Sequence, residues 1–118
     1  MSRPHRVLLV EDEPIIQMLI EDILESAGIG LADVAETSTM ALPLIAAGGF
    51  DAAIVDCTLG DGPCEPVIRA LAAGRVPFVI SSGHSADEIK ERFPGACFVT
   101  KPFIGAELEA AVQSVLRG

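Results

Sequence analysis

Acidic side chains follow the first apolar run of the chain without any spacer. The run Val7–Val10 is apolar throughout, and Glu11, Asp12 and Glu13 come directly after it. Four consecutive apolar residues are typical of a buried strand. Adjacent carboxylates are costly there unless a cation lies between them, and a hard divalent cation such as Mg²⁺ prefers oxygen ligands. The pattern therefore predicts a Mg²⁺ site that uses Glu11 and Asp12.

Other polar side chains that could take part in chemistry follow later apolar runs. Asp56 comes directly after "AAIV", Ser82 follows "VPFVIS", and Lys101 closes "CFVTK". A metal held by Asp56 and the first acidic pair would orient a phosphoryl group, while the Lys101 ammonium and the Ser82 hydroxyl hold its remaining oxygens. Asp56 would then be a nucleophile that forms an aspartyl phosphate.

These side chains must be brought together by the elements that precede them. The predicted strands are Arg6–Val10, Leu31–Ala35, Ala52–Val55, Val76–Ile80 and Ala96–Val99. The predicted helices are Pro14–Ala27, Thr37–Ala47, Cys64–Ala73, Ser85–Arg92 and Ile104–Leu116. Strict alternation of strand and helix indicates an α/β protein with a doubly wound parallel sheet, a (βα)5 flavodoxin-like fold of strand order 2-1-3-4-5. In that order the first, third, fourth and fifth strands are neighbours, and ligands bind beyond their carboxyl ends.

Two of the predicted helices have features that the structure can test. In the first, the residues Ile15, Met18, Leu19, Asp22 and Ile23 have helical spacing. In the second, Pro43 lies inside the pattern, which predicts a helix that is short, late-starting or kinked.

Composition limits the class of protein. The 118 residues are enough for one domain, covering 1–118, and half of them are hydrophobic, so a substantial core can form. A formal net charge of −9 argues against binding to nucleic acid or to an anionic membrane surface. The first apolar run ends at Glu11, too early for a signal peptide or a membrane span.

The cysteines favour a reducing compartment. Cys57, Cys64 and Cys97 form no CxxC pair and are odd in number, so we expect neither a disulfide framework nor a zinc site. The cytoplasm is the expected location. The three side chains are interpreted as small apolar fillers, although Cys57 would be reactive if it were exposed.

With these residues in view, the chain resembles a receiver domain of bacterial two-component response regulators over essentially its whole length. The matching pieces, in chain order, are "LLVEDEP", "AAIVDCTLGDG", "VPFVISSGHS" and "CFVTKPF".

The resemblance implies a role for each matching position. Glu11 and Asp12 resemble the acidic magnesium pair, and Asp56 matches the phosphoacceptor. Three further positions complete the comparison: Thr58 for a main-chain carbonyl ligand of the metal, Ser82 for the switch hydroxyl, and Lys101 for the phosphate-contacting lysine. Phe98 occupies the position of the switch aromatic, although a half-buried core aromatic is the other interpretation of this residue.

The implied function is that of a phosphoacceptor in a two-component phosphorelay. A histidine kinase or a histidine phosphotransfer protein would donate the phosphoryl group to Asp56 with Mg²⁺ bound. Self-catalysed phosphotransfer and autodephosphorylation would be its only chemistry, so it would not be an enzyme with a metabolite substrate. Output would pass through protein–protein contact with a downstream target, or the domain would act as a phosphate shuttle or sink, as a monomer or weak homodimer.

Two alternatives remain open at this point. The loop "DCTLGDGPCEP" is unusual enough that the chain could be a receiver-like interaction module that no longer takes phosphate. A phosphohydrolase of the haloacid-dehalogenase type also uses an aspartate nucleophile and Mg²⁺, but it needs a second aspartate two residues later, where this chain has Thr58.

Overall fold

The computed structural model describes residues 5–57, 64–82, 97–100 and 105–117. The strands are β1 (Arg6–Val10), β2 (Gly30–Ala35), β3 (Ala52–Asp56), β4 (Phe78–Ser82) and β5 (Cys97–Thr100). The helices are α1 (Pro14–Ser26), α2 (Ser38–Ala47), α3 (Glu65–Ala73) and α4 (Gly105–Arg117). The predicted helix Ser85–Arg92 lies outside the described residues.

The five strands form one parallel sheet in the order β2-β1-β3-β4-β5. This arrangement confirms the predicted flavodoxin-like topology. It also places the carboxyl ends of β1 and β3 side by side, because Val10 pairs with Val55. The residues that follow these two positions, Glu11 and Asp56, therefore lie at the same edge of the sheet.

Strand β4 lies two residues further along the chain than the sequence predicts. The predicted strand ends at Ile80, whereas the observed one includes Ser81 and Ser82. The Ser81 carbonyl accepts a hydrogen bond from the Cys57 amide at 2.9 Å, so the ladder between β3 and β4 continues past the apolar run. Backbone pairing in a buried sheet, rather than side-chain hydrophobicity, sets this end of the strand.

Alternate residues of each strand face opposite layers of the core. Val7 and Leu9 pack on one face of the sheet, toward α1 and α4, with Ile20 and Val112 among their buried neighbours. The other face packs toward α2 and α3. Its buried apolar residues are Leu8, Val10, Ala35, Ala41, Ala53, Val55, Cys64, Val67, Ile68, Leu71 and Ile80.

Helix α1 is apolar on more than one face. Its buried residues are Ile20 and Leu24. In contrast, 79% of Ile15, 68% of Met18 and 43% of Leu19 are exposed. Helical spacing alone does not separate these two sets, because both repeat every three or four residues. The exposed set is called the α1 apolar face below.

Helix α2 begins where the sequence predicts and continues past Pro43. The Thr37 hydroxyl accepts a hydrogen bond from the Met40 amide at 3.1 Å, which caps the start of the helix. The helix ends at Gly48, whose φ of 73° is a conformation that favours glycine. Of the three effects predicted for Pro43, a late start of the helix is therefore wrong.

Candidate functional site

Glu11 is held at the end of β1 by its backbone and by its side chain. Its amide donates to the Ala35 carbonyl of β2 at 2.9 Å, and its carbonyl accepts from the Gln17 side-chain amide at 2.7 Å. Oε2 of its carboxylate accepts from the Glu13 amide at 3.2 Å. The side chain is fully buried. These contacts fix the orientation of Glu11 and join the end of β1 to the first turn of α1.

The structure brings three of the predicted site residues together. Glu11, Asp12 and Asp56 each offer a carboxylate oxygen, and these oxygens all lie within 4.8 Å of one another. Asp56 is the last residue of β3 and is 1% exposed, whereas Asp12 is partly exposed. The partly exposed position of Asp12 leaves one side of the cluster open to solvent.

The donor set fits a hard divalent cation. Carboxylate oxygens are the ligands that Mg²⁺ and Ca²⁺ use, and Mg²⁺ binds through one or two carboxylates while keeping several waters. Oxygens on opposite sides of one Mg²⁺ are about 4 Å apart. Three carboxylates within 4.8 Å of one another therefore need only small side-chain movements to share one ion.

The two serines at the end of β4 occupy different positions beside this cluster. Ser81 pairs with Asp56 in the sheet, is 1% exposed, and its hydroxyl has no hydrogen-bond partner among the residues that the structure describes. Ser82 pairs with Thr100. The side chain of Ser82 lies outside the described part of the molecule, as do Thr58 and Lys101, so their predicted roles stay predictions.

Phe98 lies in β5 opposite Ile80 of β4. Its side chain is partly buried and packs against the core on the side of α2 and α3. This position agrees with the prediction of a half-buried core aromatic. Its role as a switch stays a prediction.

The expectation that no disulfide forms is wrong. Cys57 and Cys64 form a disulfide, with their Cα atoms 4.9 Å apart. The odd number of cysteines did not exclude it, because one pair and one free thiol, Cys97, account for all three. The sequence feature that could have predicted this disulfide is local. Residues 60, 62 and 63 of the intervening segment are Gly, Gly and Pro, which favour turns that bring nearby residues together.

Cys97 is the free cysteine and lies in β5 with its side chain partly buried. Burial raises the pKa of the Cys97 thiol, because removing the side chain from water disfavours the thiolate. Its interpretation as a small apolar filler agrees with its packing against the core on the side of α1 and α4.

Comparison with known proteins identifies the family. Residues 7–113 match the response regulator receiver domain family, so the chain belongs to that family. Receiver domains are signalling modules of two-component systems. They interact with histidine kinases or phosphotransfer proteins and are generally not enzymes.

Individual relatives agree with this assignment. The chain is 33% identical to the cell cycle response regulator CtrA of Brucella ovis over 119 residues. That match covers 95% of this chain and 50% of CtrA, so the chain spans about half the length of the curated relatives it matches.

Among solved structures, SdrG from Sphingomonas melonis Fr1 is 38% identical with a TM-score of 0.84, over 98% of this chain and 99% of that one. The receiver domain of the sensor histidine kinase PA1611 from Pseudomonas aeruginosa PAO1 is 26% identical with a TM-score of 0.84. That match covers 98% of this chain and 100% of the other, whose structure has a magnesium ion coordinated in its active-site cleft. Within the described residues of the present chain, no helix has the length and apolar character needed to cross a membrane.

Proposed function

We propose that this chain is a phosphoacceptor that takes a phosphoryl group on Asp56 from a histidine kinase or a histidine phosphotransfer protein, with Mg²⁺ held by Glu11, Asp12 and Asp56. The observation that carries the proposal is the convergence of these three carboxylates, two directly after β1 and one at the end of β3, at one edge of the sheet. Burying Glu11 and Asp56 together is unfavourable without a compensating cation, which is a reason for a metal to bind there.

The proposed step is an in-line displacement at phosphorus. One oxygen of the Asp56 carboxylate attacks the phosphorus of a phosphohistidine, the P–N bond breaks, and the imidazole leaves with its electron pair. Bound Mg²⁺ would neutralise charge on the phosphoryl oxygens and on the acidic cluster. By resemblance, Lys101 and the Ser82 hydroxyl would contact the remaining phosphoryl oxygens, and the Thr58 carbonyl would serve as a further ligand of the metal.

The phosphodonor must reach Asp56 from outside the sheet edge. The α1 apolar face begins at Ile15, three residues after Asp12, and has Met18 and Leu19 exposed beside it. Exposed apolar side chains next to a polar site are typical of protein-binding surfaces. We therefore assign this face to the histidine-bearing partner, which would bury it while presenting its phosphohistidine to Asp56.

The remaining parts of the proposal concern the whole chain. Residues 1–118 would form one receiver domain that signals by protein–protein contact or passes its phosphoryl group on, in the cytoplasm, as a monomer or weak homodimer. The chain spans about half the length of its curated relatives, so an output partner or domain must be identified by experiment and not by similarity. A net charge of −9 fits a basic protein surface better than nucleic acid as its target.

The decisive experiment is phosphorylation of the full chain with acetyl phosphate and Mg²⁺, followed by intact-mass measurement. We expect one added phosphoryl group that disappears when Mg²⁺ is chelated and in the Asp56→Asn variant. Asp33→Asn, an exposed aspartate on β2, is the matched control and should be modified like the wild type. The chain has no Trp or Tyr, so NMR rather than intrinsic fluorescence should follow the parallel titration with beryllofluoride.

The alternatives make different predictions in the same assay. A receiver-like interaction module would remain unmodified by acetyl phosphate and would show no Mg²⁺-dependent NMR shifts with beryllofluoride. A phosphohydrolase would turn over a generic phosphoester many times per molecule. Modification of Asp33→Asn but not of Asp56→Asn, without turnover, is the result that supports the phosphoacceptor.

A further inference from the structure

The disulfide joins the residue next to the proposed phosphoacceptor to the start of the following helix. Cys57 directly follows Asp56, and its amide donates to the Ser81 carbonyl at 2.9 Å. Cys64 is the N-cap residue of α3, and its carbonyl accepts from the Ile68 amide at 3.1 Å. The bond therefore connects two anchored points of the backbone, the end of the β3–β4 ladder and the first turn of α3.

We propose that Cys57 and Cys64 are a reversible redox site that controls how tightly the neighbouring acidic cluster binds Mg²⁺, with the disulfide form binding more tightly. This inference rests on the metal site of the proposed function and adds a form of regulation to it. The oxidant is a low-molecular-weight disulfide such as glutathione disulfide. Two protein thiols and one such disulfide give the protein disulfide and two small thiols, and a dithiol reductant reverses the exchange.

The two sulfurs differ in access and in electrostatic surroundings. Cys57 is partly exposed, whereas Cys64 is only 6% exposed. An attacking thiolate therefore reaches the sulfur of Cys57, and Cys64 leaves as the thiolate. The leaving thiolate is formed at the N-terminus of α3, where the peptide dipoles stabilise negative charge. The nearby carboxylate of Glu65 is paired with Arg69 at 2.6 Å, which offsets its opposing charge.

The direction of the effect follows from the covalent ring. The disulfide closes residues 57–64 into a ring whose first member is adjacent to Asp56. The structure that contains this ring also has the Glu11, Asp12 and Asp56 oxygens assembled within 4.8 Å. Reduction breaks the covalent link between Cys57, the residue after Asp56, and the first turn of α3, so Asp56 is held less firmly in the position that binds the metal. A less preorganised site binds more weakly, so reduction should lower the affinity for Mg²⁺.

The test compares the oxidised and reduced full chain directly. Protein treated with glutathione disulfide should have one thiol open to alkylation after unfolding, Cys97, and protein treated with a dithiol should have all three. Titration of each form with Mg²⁺, followed by NMR, should give a dissociation constant about threefold or more higher in the reduced form.

Two variants separate the redox site from the other thiol. Cys57→Ser with Cys64→Ser should bind Mg²⁺ like the reduced wild type under both conditions. Cys97→Ser should keep the full difference between oxidised and reduced protein. Because the wild type itself is measured in both forms, the test does not depend on the folding of either variant.

The outcomes distinguish this inference from the proposed function. Equal Mg²⁺ affinity in both forms, tighter binding in the reduced form, no Mg²⁺ binding in either form, or failure of glutathione disulfide to join Cys57 to Cys64 would each overturn it. Redox-dependent Mg²⁺ binding without acetyl phosphate modification of Asp56 would support the redox site and remove the phosphoacceptor. Modification of Asp56 together with equal Mg²⁺ affinity in both redox forms would support the phosphoacceptor and remove the redox site.

Discussion

Glu11 and Asp56 are 45 positions apart in the sequence, yet both are buried and their carboxylate oxygens lie within 4.8 Å of each other. The parallel pairing of β1 with β3 creates this proximity, because Val10 and Val55 are register partners and the two acids follow them. Like charges this close repel each other, and a cation bound between them would relieve the repulsion.

Removing one charge of this pair should stabilise the protein when no metal is present. We expect Asp56→Asn to raise the free energy of unfolding by about 1 to 3 kcal/mol in buffer with a chelator, because it removes one of two like charges whose oxygens lie within 4.8 Å of each other. Urea unfolding followed by circular dichroism measures this. Asp33→Asn, which removes an equal charge from an exposed site, should change stability little. A destabilised Asp56→Asn would contradict the prediction.

Magnesium should narrow this difference in stability between the wild type and Asp56→Asn. At a concentration ten times its dissociation constant, Mg²⁺ should stabilise the wild type by about 1.4 kcal/mol through mass action. Asp56→Asn and Asp12→Asn lose part of the donor set, so both should gain less from the same addition. The measurement is urea unfolding with Mg²⁺ and with a chelator, and equal gains in all three proteins would show that the ion binds elsewhere.

The α1 apolar face should contribute little to folding. Ile15 and Ile20 are the same residue type on one helix, with 79% and 0% exposure. Ile20→Ala should cost about 2 to 5 kcal/mol of unfolding free energy, as large-to-small changes in a core do. Ile15→Ala should stay within about 0.5 kcal/mol of the wild type, as exposed positions do.

The Ile15→Ala variant also tests whether the α1 apolar face contacts the phosphodonor. Ile15→Ala should be modified by acetyl phosphate like the wild type, because that small donor needs no docking surface. It should accept phosphoryl groups more slowly from a histidine-bearing donor protein. Equal rates from the protein donor would remove α1 as its contact surface.

Reduction of the Cys57–Cys64 disulfide should lower stability. Closing a ring of this size restricts the unfolded chain, and the chain-entropy relation gives about 2 to 3 kcal/mol for it. Urea unfolding in the presence and absence of a dithiol measures the difference. The Cys57→Ser, Cys64→Ser protein should match the reduced wild type and show no response to the dithiol, and a response in that variant would assign the effect to another thiol.

Cys97 should react slowly in the folded protein. The thiolate is the reactive form, and burial raises the pKa of the Cys97 thiol, so less thiolate is present near neutral pH than in an ordinary cysteine. Its rate of alkylation by iodoacetamide, followed by intact mass on the oxidised protein, should increase as the pH rises. The same protein in urea supplies the control, where the thiol should react like that of a free peptide. Equal rates in the two conditions would be the contrary result.

The fold was predictable because its signal is local and repeated. Apolar runs such as Val7–Val10, separated by segments of helical spacing, indicate a doubly wound sheet, and the observed strand order is the predicted one. The ends of the strands and helices were harder to predict. Ser81 and Ser82 are polar, yet they belong to β4 because neighbouring strands pair with their backbone. Similarly, the spacing in α1 could not distinguish the buried Ile20 from the exposed Ile15.

Residue types and their order along the chain determined which side chains are candidates for chemistry, since the acids, the serines and the lysine all follow apolar runs. Tertiary structure alone decided that Glu11, Asp12 and Asp56 meet, that α1 leaves an apolar face in solvent, and that Cys57 reaches Cys64. The physical reason is that hydrophobic patterning is read within one element, whereas distances between elements depend on strand register and on how each helix packs against the sheet.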